Sequence, residues 1–339
     1  GPSVLLVNDA IGQRDEAVRQ AEATAMVRDM VNTPAADMGP DKLEDIVEKL
    51  AAQHGAEVKV TRGDTLEEHF PMIHGVGKAA MRAHAPRLLE LKWGKPDHPK
   101  IAIVGKGVTF DSGGLSMKSP AGMMLMKKDR GGAAHAIALT RMVMEAKLPV
   151  RLHLLVPAVE NSIDGNALRP GDILHSRKGL TVEITNTDAE GRLVLGDALT
   201  LAGEEEPEMI IDFATLTGAA RVALGPDLPA MFCDDRDMAN GLLRAGDDES
   251  DPLWQMPLWS GYDAMLNSNI ADCVNSAAGG FAGSITAALF LKKFAPESVP
   301  WAHFDTFAWR PAVKPGRPIG GEALGLRASW RYLQGRYGQ

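Results

Sequence analysis

The sequence predicts an α/β fold, with a mixed, mostly parallel central sheet and helices on both of its faces. Three observations carry that expectation. Strand-like and helix-like stretches alternate along the chain, the pattern of strands joined by covering helices. The run at 100–104 is a buried-type strand that leads straight into Gly105-Lys106-Gly107. A length of 339 residues gives room for two domains, or for one large α/β domain with a smaller appendage.

Taken in order, the first element is a short apolar run at 4–7. Over about 14–31, Val18, Ala21, Ala25, Met26 and Met30 recur at helical spacing, and Asn32-Thr33-Pro34 ends the pattern. Gly39-Pro40-Asp41 opens a second helix, with Leu43, Ile46, Val47 and Leu50 on one face and Gly55 beyond its end. Segments 57–61 and 87–93 read as strands, and 100–104 as the buried one. A long helix is expected over 126–146 and a strong strand over 150–156. The remainder reads as strand 181–185, helix 190–202, strand 209–214, helix 284–294, strand 301–305 and helix 322–333. Gly1-Pro2-Ser3 reads as the scar of a removed tag.

Composition narrows the function. Thirty-six basic against 44 acidic residues give a formal charge of −8, which disfavours nucleic acid or an anionic membrane surface as partner. No apolar run approaches the ~18 residues of a membrane span. Two cysteines, Cys233 and Cys273, are too few for a disulfide framework and lack C-x-x-C spacing. They fit a reducing compartment and read as small buried apolar side chains. The nine histidines are scattered, with no H-E-x-x-H, and His135 and His153 read as structural. Gly105-x-Gly107 lacks a third glycine, because Phe110 holds that position, so the dinucleotide fingerprint breaks. Any metal must then be held by oxygen.

In such sheets chemistry gathers at the carboxyl ends of strands. Three segments sit there: 105–118, 186–192 and 215–219. They and the 127–132 turn bring acids into glycine-rich surroundings: Asp111, Asp129, Asp188 and Glu190. Singly, each acid reads as a turn former or helix cap. Together they would repel unless positive charge sat among them, and two divalent cations ~3.5–4 Å apart would supply it. Oxygen ligation alone suits Mg²⁺ or Mn²⁺ as readily as Zn²⁺. Lys106 and Lys118 flank Asp111 as oxyanion stabilisers or, deprotonated, ligands, and Arg192 could hold a planar anion.

At these residues the sequence resembles the leucyl (cytosol) aminopeptidase family. The run Asn186-Thr187-Asp188-Ala189-Glu190-Gly191-Arg192-Leu193 resembles that family's signature, and VGKGVTFDSGGLSMK at 104–118 its other metal-binding segment. Asn32-Thr33-Pro34-Ala35, the spacing to Asp129, and Ala214-Thr215-Leu216-Thr217-Gly218-Ala219 also match. The resemblance runs from about residue 20 to the end. It implies two metal ions, Mn²⁺ or Zn²⁺, one held by Lys106, Asp111, Asp129 and Glu190, the other by Asp111, Asp188 and Glu190. It implies removal of N-terminal amino acids from peptides with a free N-terminus, through a metal-bridging hydroxide. Lys118 would stabilise the oxyanion and Arg192 would hold a bicarbonate serving as general base. Met126, Thr215, Leu216 and Gly218 would line the pocket for the first side chain. A cytoplasmic homohexamer is implied as well. The expected organisation is 1–8 as tag scar and end of a preceding N-terminal domain, 9–33 as connecting helix, and 34–339 as the catalytic metallopeptidase domain.

The chain departs from the family pattern in places. Arg130 stands where methionine is usual and is expected to add charge beside the site. Met124 replaces a common aspartate, and Phe307 replaces a small residue and is expected to narrow the pocket. Two rival readings are a serine hydrolase using Ser112 or Ser116 with Lys118, and a non-catalytic DNA-binding or scaffold relative. The first leaves the four acids unexplained; the acidic charge disfavours the second.

Overall fold

The structure, a computed structural model, describes residues 11–338, so the apolar run at 4–7 lies outside the described residues. Helix α1 (Ile11–Asn32) stops just before Pro34, and α2 (Pro40–His54) begins on its own proline. Gly55 ends α2 at φ 65°, the left-handed cap that glycine adopts without strain. Leu43, Val47 and Leu50 are buried as expected, while Ile46 is only partly so.

Strand β1 (Glu57–Arg62) is followed by helices α3 (Asp64–His69) and α4 (Pro71–Gly77), then β2 (Arg87–Trp93). Next come β3 (Lys100–Gly105), β4 (Gly107–Asp111), the short α5 (Pro120–Met123), α6 (Gly131–Glu145) and β5 (Arg151–Asn161). Beyond them lie β6 (Ile173–His175), β7 (Thr181–Glu183), α7 (Gly191–Glu204), β8 (Met209–Ala214), α8 (Gly218–Leu224) and β9 (Ala230–Cys233). The chain closes with α9 (Arg236–Asp248), β10 (Trp254–Gln255), β11 (Cys273–Val274), α10 (Gly283–Lys292), β12 (Trp301–Asp305) and α11 (Leu326–Tyr337).

The main sheet runs β1-β2-β5-β3-β8-β12-β9-β10, with β4 also on β5. Its centre, β5 to β12, is parallel, as is the β4–β5 pair. Antiparallel pairs join β1 to β2, β2 to β5 and β12 to β9, so the sheet is mixed and mostly parallel as expected. Alternation along the strands feeds two cores. Ile101, Ile103 and Ile211 face Val27, Leu43, Ile137 and Trp330 from α1, α2, α6 and α11. Ala102, Val104 and Ile210 face Ile73, Leu195 and Phe290 from α4, α7 and α10. Both faces are therefore covered, which is why these strands are apolar throughout.

The structure departs from the sequence reading in three places. The segment at 107–111, expected as part of a loop, is β4, its flanking glycines having masked a strand. The helix expected from 126 starts as a 3-10 turn, Met126–Arg130, and becomes α-helical at Gly131. The last helix starts at Leu326 rather than 322, because Glu322 turns its carboxylate to Arg310 and Arg28 and Gly325 takes φ 81°. Both cysteines are buried and unbonded, as expected. Among the described residues no helix is long and apolar enough to cross a membrane.

Candidate metal centre

Each side chain of the site is delivered by the end of an element. Lys106 occupies the single residue between β3 and β4, and Asp111 closes β4. Asp129 lies in the 3-10 turn ahead of α6, Glu190 directly precedes α7, and Thr215 follows β8. Carboxyl ends of parallel strands and the starts of two helices thus point at one place. Glycine is needed at two points of this junction. Gly113 takes φ 87°, and a Cβ on it would lie 3.0 Å from Asp188 Oδ1. Gly191 leaves the space that Lys106 fills.

Carboxylate oxygens of Asp111, Asp129 and Glu190 come within 4.8 Å of one another, all buried. Lys106 Nζ stands 2.7 Å from Asp129 Oδ2 and 2.8 Å from Glu190 Oε1. Lys118 Nζ stands 2.8 Å from Asp111 Oδ2 and also pairs with Asp188 Oδ1. Lys106 thus joins the cluster of Asp111, Asp129 and Glu190 directly, and Asp188 stands beside it through Lys118.

Burial and then the neighbouring Asp111 push the Glu190 carboxyl well above the carboxylate range, and the same two causes raise Asp188. Asp129 goes the other way: burial opposes its charge, but Lys106 and Lys128 hold its proton off. Burial also opposes the charge on Lys106, yet Asp129, Glu190 and Asp111 outweigh it and raise that amine. Three lysines, Lys106, Lys118 and Lys128, therefore stand against four acids. Glu190 Oε1 and Asp188 Oδ1 are buried without a hydrogen bond of good geometry, although each has a lysine within ion-pair reach. Converging carboxylates with orphaned oxygens and an excess of negative charge fit hard divalent cations.

The centre floors a cavity of about 560 Å³. Met126, Thr215, Leu216 and Gly218 line it, as does Phe307. Arg192, in the first turn of α7, is 7% exposed, lines the same cavity and leaves its Nε without a partner. A buried guanidinium with a free donor is suited to a small planar anion.

Arg130 does not add charge beside the cavity. It is fully buried and turned away, donating to Lys127 O at 2.7 Å, Met38 O at 2.8 Å and Thr33 O at 2.9 Å. Successive residues of a 3-10 turn point about 120° apart, so the neighbour of Asp129 faces the α1–α2 connection. Met124 is exposed and does not line the cavity. Ser112 donates its hydroxyl to Asn161 O at 2.7 Å, and Ser116 Oγ accepts from Thr187 N at 3.1 Å. Lys118 meets Ser112 only through its backbone N–H, 3.0 Å from Ser112 O, and neither serine hydroxyl is hydrogen-bonded to the Lys118 amine, which removes the geometry a serine–lysine hydrolase needs.

Three supporting residues escape a reading of the sequence. Asn161 Nδ2 donates to Asp111 Oδ1 at 2.8 Å and to Thr187 O at 3.1 Å. Thr187 Oγ1 donates to Gly113 O at 2.6 Å. Asp305 holds the 215–217 segment, accepting from Leu216 N at 3.0 Å, Thr217 N at 3.1 Å and Thr217 Oγ1 at 2.6 Å. The available signal was position: Asn161 and Asp305 are polar residues closing central strands.

Residues 25–328 match the model of the cytosol aminopeptidase family, catalytic domain. A probable cytosol aminopeptidase of Syntrophotalea carbinolica is 44% identical over 306 residues, 89% of this chain and 61% of that protein. One from a Geobacter species is 41% identical over 326 residues, covering 94% and 65%. The chain thus spans less than two thirds of these relatives. Among solved structures, the cytosol aminopeptidase of Coxiella burnetii superposes with a TM-score of 0.94 at 52% identity, covering 96% of this chain and 71% of that one. The bottromycin maturation enzyme BotP in complex with Mn superposes with a TM-score of 0.93 at 36% identity, covering 98% and 74%.

Proposed function

The chain belongs to the cytosol aminopeptidase family, and from that premise we propose that it is a metal-dependent aminopeptidase releasing N-terminal residues from peptides. The observation that carries this reading is the buried convergence of Asp111, Asp129 and Glu190 with Lys106 on a cavity open to substrate. Lys106, Asp111, Asp129, Asp188 and Glu190 would hold two divalent cations, for which the Mn in the BotP complex makes Mn²⁺ a natural candidate beside Zn²⁺. Such ions would supply Lewis-acid polarisation of the scissile carbonyl and an acidified water.

The chain's own residues do the remaining work. Asp111 is fixed at Oδ1 by Asn161 and by the Gly113 amide at 2.9 Å, which turns Oδ2 toward Lys118 in the centre. Thr215 Oγ1 fixes Asp129 through Oδ1 at 2.7 Å. Lys118 is half-buried, and although burial opposes its charge, Asp111, Glu190 and Asp129 keep it protonated. Its ammonium can therefore donate to the oxygen that gains charge during attack on the carbonyl. Arg192 would hold a bicarbonate able to accept a proton. Met126, Thr215, Leu216 and Gly218 surround the space for the first side chain. Assembly as a homohexamer and a cytoplasmic location belong to the same reading.

The test is hydrolysis of a panel of dipeptides and aminoacyl amides by the Mn²⁺- or Zn²⁺-loaded protein. Activity that exhaustive chelation removes and metal restores supports the reading. Activity untouched by chelation, or none on any substrate, refutes it.

A further inference from the structure

Two cationic side chains lie over the Phe307 ring. The Arg221 guanidinium lies 5.0 Å from its ring centroid, and Lys128 Nζ lies 5.6 Å from the same centroid. All three residues line the cavity above the metal centre. Arg221 starts from the first turn of the exposed helix α8, where an arginine is free to extend into water. Instead its side chain folds back along the cavity wall: a Cβ built on Gly218 would lie 3.9 Å from Arg221 Nη2. Among the described residues it forms no ion pair. The acids that line the cavity are engaged elsewhere, four by Lys106 and Lys118 and Asp305 by the 216–217 backbone. Lys128 has only Asp129 Oδ1, at 3.3 Å, an oxygen that also accepts from Thr215.

The Phe307 end of the cavity is thus lined by two cationic side chains, of which Arg221 has no acid partner among the described residues. A long aliphatic side chain placed there would desolvate a guanidinium and give it no acceptor, which is unfavourable. A carboxylate would replace the lost water with charge-assisted hydrogen bonds. We propose that the pocket selects peptides whose first residue is acidic, its side-chain carboxylate received by Arg221 and Lys128 over Phe307. This rests on the aminopeptidase reading and on Met126, Leu216 and Gly218 surrounding the first side chain.

The experiment compares kcat/KM of the metal-loaded protein on Glu-Ala, Gln-Ala and Leu-Ala. Glutamate and glutamine share a shape, so their ratio isolates the charge. A preference for Glu-Ala over Gln-Ala on the order of tenfold to a hundredfold is expected, the range for hydrogen bonds to charged groups. Arg221→Gln should bring that ratio down severalfold or more, and Arg221→Glu should turn the preference toward an N-terminal lysine. Lys128→Met should lower the ratio as well, and Arg221, being exposed, supplies the variant that spares the fold. Equal or better hydrolysis of Gln-Ala, or a ratio that both Arg221 variants leave unchanged, overturns the proposal. Failure to cleave any of the three dipeptides overturns the aminopeptidase reading beneath it.

Discussion

Lys106 crosses Gly191 with no room for a side chain: a Cβ on Gly191 would sit 2.5 Å from Lys106 Cε and 2.7 Å from Nζ. The glycine of the 186–193 run is therefore the reason the amine reaches Asp129 and Glu190. Gly191→Ala should displace Nζ and weaken metal binding by about 10–100-fold or more, the range seen when a ligand loses its support. Calorimetric titration with Mn²⁺ measures this. Gly165→Ala, where a Cβ meets nothing within 4 Å, should bind like the parent.

Asn161 orients Asp111 from outside the ligand set. Asn161→Ala removes the 2.8 Å bond to Asp111 Oδ1 and the 3.1 Å bond to Thr187 O. Metal affinity should fall about 10–100-fold, while stability in urea falls by only about 1–3 kcal/mol. An affinity unchanged within twofold would show that the Gly113 amide alone holds Asp111 in place.

The two kinds of residue were not equally legible in the sequence. Acids and lysines in glycine-rich strand-end loops stand out, because charge is costly to bury without a purpose. Asn161 and Thr187 carry no charge and act through hydrogen bonds whose partners lie tens of residues away. The fold shows the same division. The apolar strand at 100–104 and the capped helix α2 declare themselves locally. Strand β4 did not, because it is short, bounded by glycines and paired only with β5. Arg130 misled for a related reason: adjacency to Asp129 in sequence does not mean adjacency in a 3-10 turn.

Arg130 is a strut between the Asp129 turn and the α1–α2 connection. Arg130→Met would leave the carbonyls of Thr33, Met38 and Lys127 without that donor. A loss of about 2–3 kcal/mol in urea unfolding is expected. The ratio of kcat/KM between N-terminal residues should stay the same, since this guanidinium does not line the cavity. A changed ratio would place it back beside the substrate.

His303 and Asp212 form a fully buried pair, Nδ1 to Oδ1 at 2.6 Å, with Trp301 Nε1 on the other carboxylate oxygen at 2.6 Å. Burial alone would lower the His303 pKa, but the Asp212 carboxylate outweighs it and the net shift is upward. A raised histidine contributes stability fully present below its unfolded value of about 6.5 and lost as pH climbs through the folded one. The difference in urea midpoint between the parent and His303→Gln should therefore be largest near pH 6 and shrink toward pH 9. A difference that grows with pH would reverse the assigned shift.

We propose that one constellation holds two cations, with Asp111 and Glu190 shared between them. Titration of the metal-free protein with Mn²⁺ tests it most directly. Two equivalents per chain are expected, with Asp129→Asn weakening one of them and Asp111→Asn abolishing both. A single equivalent, or two that survive Asp111→Asn, would contradict the account.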